Sequence, residues 1–166
     1  MAKKVVVTSP PPIVVPKRPV RAAVTMLGDR KMGGEFFLDN ATPLHEGPET
    51  LLELINNNSR TFVPFHTERG TLLLNRLAIR IVEFDSPEVV AAFVQPDNPF
   101  IHDLRIVLRT ETQELSMQGF CHTGELHPQS RRPADLLNTP DAFLLFYSTG
   151  TLILVNKAGI SYASIE

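Results

Sequence analysis

The chain has 166 residues, 43% hydrophobic and 20% charged, which suffices for one ordinary domain or two very small ones around a buried core. A single cysteine, Cys121, excludes an internal disulfide framework and fits a reducing compartment. Residues 1–19 carry Lys3, Lys4, Lys17 and Arg18 with no acid; setting these four aside leaves 12 basic residues against 18 acidic ones, a net of −6. A body of that sign is a poor platform for phosphate backbones, so nucleic acid is not an expected partner. The run Val5-Val6-Val7 is broken at Thr8-Ser9-Pro10, far short of a signal sequence or a membrane span. The expectation is a cytoplasmic protein without membrane insertion.

The opening residues combine Pro10, Pro11, Pro12, Pro16 and Pro19 with Ile13, Val14 and Val15. Proline fixes φ and removes backbone donors, so residues 1–19 read as an extended, flexible, basic tail. Pro10-Pro11-Pro12-Ile13-Val14-Val15-Pro16-Lys17-Arg18 has the composition of a linear docking peptide for another protein.

From Val20 the composition changes. Val20–Leu27 reads as a strand ending at the turn signal Gly28-Asp29, with a second strand over Gly34–Leu38. Pro48 to Ile55 has the signals of a two-turn helix, stopped by Asn56-Asn57-Asn58. Thr61–His66 reads as a strand in which Pro64 marks an edge or a bulge. Glu68-Arg69-Gly70 then turns into the strand Thr71–Asn75, and a last strand covers Leu77–Phe84. Residues 20–84 thus form a ββαβββ module, and residues 85–102 a linker containing the helix-start pattern Asp85-Ser86-Pro87-Glu88.

The same order recurs over residues 103–166. His102–Thr110 and Leu115–His122 read as strands; Gly34, Pro43, Pro48 and Leu51-Leu52 match Gly119, Pro128, Pro133 and Leu136-Leu137 at a constant offset of 85. After a short deletion placed in the helix-to-strand loop, Phe62, Phe65, Gly70 and Ile79 match Phe143, Phe146, Gly150 and Ile160. The expected fold is mainly β with short helices (α+β), a tandem pseudo-symmetric repeat of two small ββαβββ modules arranged as small barrels or on a shared sheet. Each module is near the lower size limit for independent stability, so the two should share a core or an extended sheet.

The pattern of a first strand, a turn, a Gly-containing strand, then Pro133-Ala134-Asp135-Leu136-Leu137-Asn138 before Phe143, and a strand ending near Asn156-Lys157, resembles a family of short β-rich bacterial domains. The resemblance covers residues 103–165, with residues 20–84 as a more divergent copy. It implies a bacterial source and a small β-rich module, and it brings no catalytic residue to transfer.

The chemical candidates are few. Cys121-His122 with His127 falls short of the four ligands of a structural zinc site, and strand alternation sends Cys121 and His122 to opposite faces. A Cys-His hydrolase would need Cys121 as nucleophile, but a single strand cysteine is more often a small core residue. His45, His66 and His102 show no ligand spacing, and Phe62, Phe65, Phe143 and Phe146 lack the interleaved basic residues of a nucleic-acid stacking surface. Arg131-Arg132 before Pro133 could hold an anion near a helix start. The expectation is therefore a non-catalytic adaptor or scaffold without cofactor or metal. Its partners would be other proteins in a larger assembly, or copies of itself as a homo-oligomer, bound through a strand edge, the seam between modules, or the proline-rich arm. The alternative is a sensor binding an anionic ligand or nucleotide messenger near Arg131 and Arg132.

Overall fold

The computed structural model describes residues 16–95, 97–111, 113–124, 126–129 and 131–165. Its strands are β1 (Lys17–Met26), β2 (Lys31–Asp39), β3 (Phe62–Thr67), β4 (Gly70–Asn75), β5 (Ile79–Phe84), β6 (Ile101–Arg109), β7 (Glu114–His122), β8 (Phe143–Ser148), β9 (Thr151–Asn156) and β10 (Ile160–Ser164). Among the described residues three short helices, α1 (Leu51–Asn56), α2 (Pro87–Phe93) and α3 (Pro133–Leu137), complete a mainly β protein. All ten strands lie in one sheet, ordered β10-β6-β7-β8-β9-β5-β1-β2-β3-β4. Each neighbouring pair is antiparallel.

The first five strands stand in the order 5-1-2-3-4, and the second five in the order 10-6-7-8-9. Both halves carry one slip in their closing pair. In β1–β5 it falls between Thr25 and Met26, where Arg80 is passed over; in β10–β6 it falls between Ile160 and Tyr162, where Ser161 is passed over. Period-two alternation turns Ala22 and Val24 of β1, Phe36 and Leu38 of β2, and Val63 and Phe65 of β3 into one core with Leu51, Leu54 and Ile55 of α1. A second core gathers Leu104, Ile106, Leu108, Cys121, Leu144, Phe146, Ile153 and Val155. The two meet where β5 pairs with β9, and Phe143 and Leu154 from the second half pack into the first core.

Short 3-10 turns, Arg76–Ala78 and Lys157–Gly159, enter β5 and β10. The side chains of Asn75 and Asn156 cap them, accepting from Leu77 N and Ala158 N at 3.0 Å each. The next residue is a cation in both cases, and it binds carbonyls at the end of its own half's helix. Arg76 Nη1 donates to Ile55 O at 3.3 Å, and Lys157 Nζ donates to Thr139 O at 2.7 Å. A positive group there complements the negative end of a helix. Burial pushes the Lys157 pKa down, with Asp141 acting in the opposite direction.

Several boundaries differ from those read in the sequence. Lys17, Arg18 and Pro19, expected in the tail, belong to β1 and face Asp39, Leu38 and Phe37 of β2. Lys17 also pairs with Asp39 at 3.1 Å, and Arg18 Nη2 donates to Glu49 O at 3.3 Å. Pro19 is tolerated because it lies past the last pairing with β5, where β1 has a single neighbour. The stretch Pro10 to Val15 lies outside the described residues. The span 85–102, read as a linker, contains α2 and the first two residues of β6. Pro48 precedes α1: Thr50 is its N-cap, in a capping box with Glu53. Pro133, in contrast, is the first residue of α3, behind the N-cap Arg132. Counted from their N-caps the helices correspond at an offset of 82, so Pro48 and Pro133 do not match, and most of the shortening lies before the helix. The hairpins correspond at 81, since Thr67 faces Gly70 whereas Ser148 faces Thr151. Gly70 is therefore a strand residue and Gly150 a turn residue with φ 84°.

Pro64 pairs with Leu73 of β4, while β2 and β3 meet only at Glu35 and His66, so a missing donor on that side breaks no ladder. The same narrow crossing explains Gly34. A Cβ there would fall on the His66 carbonyl and within 2.8 Å of the Phe65 ring; on Gly119 it would fall on the Tyr147 carbonyl and within 2.9 Å of Phe146. Gly33 has nothing within 4 Å of such an atom. Gly34→Ala and Gly119→Ala are each expected to cost about 1–3 kcal/mol by overpacking, read by urea unfolding, with Gly33→Ala close to wild type. Equal stability of all three variants would contradict the crossing geometry.

Candidate partner-binding edges

The groups singled out in the sequence for chemistry are engaged inside the protein. Arg131 lies with its guanidinium 4.5 Å from the Phe100 ring centroid, and its Nε donates to Leu126 O at 3.1 Å. Arg132 is exposed and binds Asp135 through both carboxylate oxygens, at 2.9 and 3.2 Å. The hydrogen bond from Arg132 holds the Asp135 carboxyl below the usual carboxylate range. The two arginines are adjacent in the chain, but they are turned to different partners.

Cys121 is buried in the second core, and burial pushes its pKa up to about 11. His122 faces the other side of β7, as alternation requires, but it is half-buried there and not a surface imidazole. It meets Phe93 of α2 and Phe100 edge-on, at centroid distances of 6.0 and 6.2 Å. His45 pairs with Glu53 at 2.9 Å, His66 Nδ1 lies 2.9 Å from Thr71 Oγ1, and His102 Nε2 lies 3.0 Å from Thr123 Oγ1. His127 Nδ1 accepts from Gln129 N at 3.4 Å. No group of three or more potential metal ligands occurs among the described residues, and no helix there is long and apolar enough to cross a membrane.

Hollows accompany the sheet. One of about 880 Å³ runs between the halves beneath α2, walled by Leu51, Leu52, Val89, Ala92 and Leu145. Another, about 1360 Å³, is a broad depression over β1 and β2 whose rim mixes Arg21, Arg30 and Arg69 with Glu35, Glu68 and Glu83. Arg21 is already paired with Glu35 at 3.3 Å, so this rim presents no single sign to a charged ligand.

The ends of the sheet are a different matter. Among the described residues β4 and β10 each have one hydrogen-bonded neighbour, with no strand paired to the backbone row on the other side. Sheet edges are ordinarily guarded by lysine, proline or inward charge. Gly70–Asn75 and Ile160–Ser164 contain no charged residue and no proline. On β4, Leu72 is 41% and Leu73 67% exposed, and Phe62 beside them on β3 is 53% exposed. On the matching hairpin β8–β9, which has β5 as an outer neighbour, Ile153, Leu154 and Phe143 are 6%, 0% and 2% exposed. At the far end Tyr162 and Ile165 are exposed as well.

In the sequence, Leu72-Leu73-Leu74 reads as a core strand. Three successive leucines make both faces of β4 apolar, as Ile153-Leu154-Val155 do on the covered strand β9, but on β4 only Leu74 reaches the core.

The packing of Cys121 gives a direct test. At pH 8 a thiol with a pKa near 11 is ionised in about one molecule in 1000. Modification by a thiol reagent is expected to be at least about 100-fold slower in the native protein than in urea. Equal rates would place Cys121 outside the core. Comparison with known protein families, with curated proteins and with solved structures finds no match to this chain.

Proposed function

We propose that the chain is a non-catalytic binding and scaffold protein, built from two copies of one ββαβββ module, that accepts a partner β-strand at the open edges of its sheet. The observation that carries this reading is the exposure of Leu72 and Leu73 on an edge strand without charge or proline. Strand addition uses such an edge twice over: the backbone row supplies hydrogen bonds, and the alternate side chains supply selectivity. The repeat is supported by the two strand orders, the slips at Arg80 and Ser161, and the Asn-cation pairs that open both 3-10 turns. The proline-rich arm ahead of β1 is a second contact in this scheme. Arg131 and Arg132, each held by internal partners, give the anion-sensor alternative no support.

A peptide carrying residues 79–84, the strand that fills the corresponding edge of β9, is the direct probe. Added to the protein, it is expected to slow hydrogen exchange of the backbone amides of residues 70–75. Leu73→Lys should weaken its binding at least tenfold, about 1.4 kcal/mol. Unchanged exchange at both β4 and β10 would overturn the strand-acceptor reading.

A further inference from the structure

We infer that the strand taken up at each open edge is the opposite edge of a second copy of this chain, joined head to tail with β4 of one copy against β10 of the next. The inference rests on the strand-acceptor reading above. Its template lies inside the chain, where β5 pairs with β9 through Ile81 and Val155, Val82 and Leu154, Glu83 and Ile153, and Phe84 and Leu152. An offset of 81 carries the β3–β4 hairpin onto β8–β9 and carries β5, bulge included, onto β10. Applying that offset to the seam sets Tyr162, Ala163, Ser164 and Ile165 of one copy opposite Leu74, Leu73, Leu72 and Thr71 of the next.

Burial on both sides fits the missing half of such a seam. The β4 side exposes Phe62, Leu72 and Leu73, whose counterparts Phe143, Ile153 and Leu154 are buried beside the seam. The β10 side is equally incomplete: Ile160 and Ala163 are only half-buried, whereas their counterparts Ile79 and Val82 are fully enclosed. The polar fittings recur too. Across the seam Asn156 Nδ2 donates to Ile79 O at 2.8 Å. Asn75 holds the same capping position on the open edge, and its amide would meet Ile160 O of the next copy. Neither strand brings a charge into the contact. Because the two surfaces differ, the contact is heterologous and generates a ring or an open filament instead of a closed twofold dimer.

Two edge variants separate this arrangement from others. Leu73→Lys blocks β4, and Tyr162→Glu blocks β10; both side chains are exposed, and an unchanged circular dichroism melt checks that each variant folds. By light scattering the wild type is expected to exceed the 18.5 kDa of one chain in a concentration-dependent way. Each variant alone should stay at one chain, and an equimolar mixture should form a species of two chains, since each retains the edge that the other lacks. As a check that needs no disruption, a Leu72→Cys/Ser164→Cys chain should form intermolecular disulfides that neither single variant forms.

Self-association of either blocked variant, or a mixture that stays at one chain while the wild type assembles, would overturn the head-to-tail contact. A wild type that remains a single chain yet binds the residue 79–84 peptide at β4 would overturn self-assembly and leave the strand acceptor standing. A single chain that binds no peptide at either edge would overturn both.

Discussion

Backbone hydrogen bonding between β5 and β9 fastens the two halves into one sheet, and most of what is distinctive in the molecule follows from it. Neither half is large enough to bury a generous core alone. The seam lets each borrow from the other: Phe143 and Leu154 finish the first core, and Ile81 packs against the second. Side chains reinforce the backbone pairing. Asn56 exchanges two hydrogen bonds with the backbone of Phe143, at 2.9 and 3.1 Å, and the bulged residue Arg80 reaches Arg109 O at 2.5 Å. A half-buried amide that satisfies a donor and an acceptor together helps to fix register beyond what apolar contact does alone.

Polar side chains with the right identity for a site are committed to structural tasks: Arg76 and Lys157 to helix ends, Arg132 to Asp135, Arg131 to Phe100 and Leu126. At the two sheet ends backbone and apolar surface lie without a partner among the described residues. The binding role proposed above draws on these two ends.

Much of this arrangement is legible in the sequence. Turn glycines, strand alternation and the prolines locate most strands, and Asp85-Ser86-Pro87-Glu88 marks the start of α2. Pro64, read as the mark of an edge or a bulge, lies instead in an interior strand, β3, whose pairing with β2 is confined to Glu35 and His66. Two of the misreadings share one cause: letters match where geometry differs. Gly70 and Gly150 look equivalent, but the two hairpins turn one residue apart, and Pro48 and Pro133 sit on opposite sides of an N-cap. Lys17-Arg18-Pro19 looks like tail because proline is scarce in paired strands; its position beyond the end of β5 is a tertiary fact that local composition does not encode. The open edges are invisible for the same reason. Leu72-Leu73-Leu74 and Ile153-Leu154-Val155 are near-identical in chemistry, and only strand order decides that one is covered and the other bare.

The ends of α1 and α3 differ in one detail that bears on time rather than on shape. Asn56 already grips Phe143, whereas Asn138, which stands in the corresponding place on α3, has its amide folded back on Ala134 O at 2.8 Å. A contact between chains that copies the internal seam would have to draw that amide away before it could grip Phe62. A joint between chains made on that pattern would therefore be the looser of the two. Such an assembly would exchange its members there, while each member kept its own two halves together.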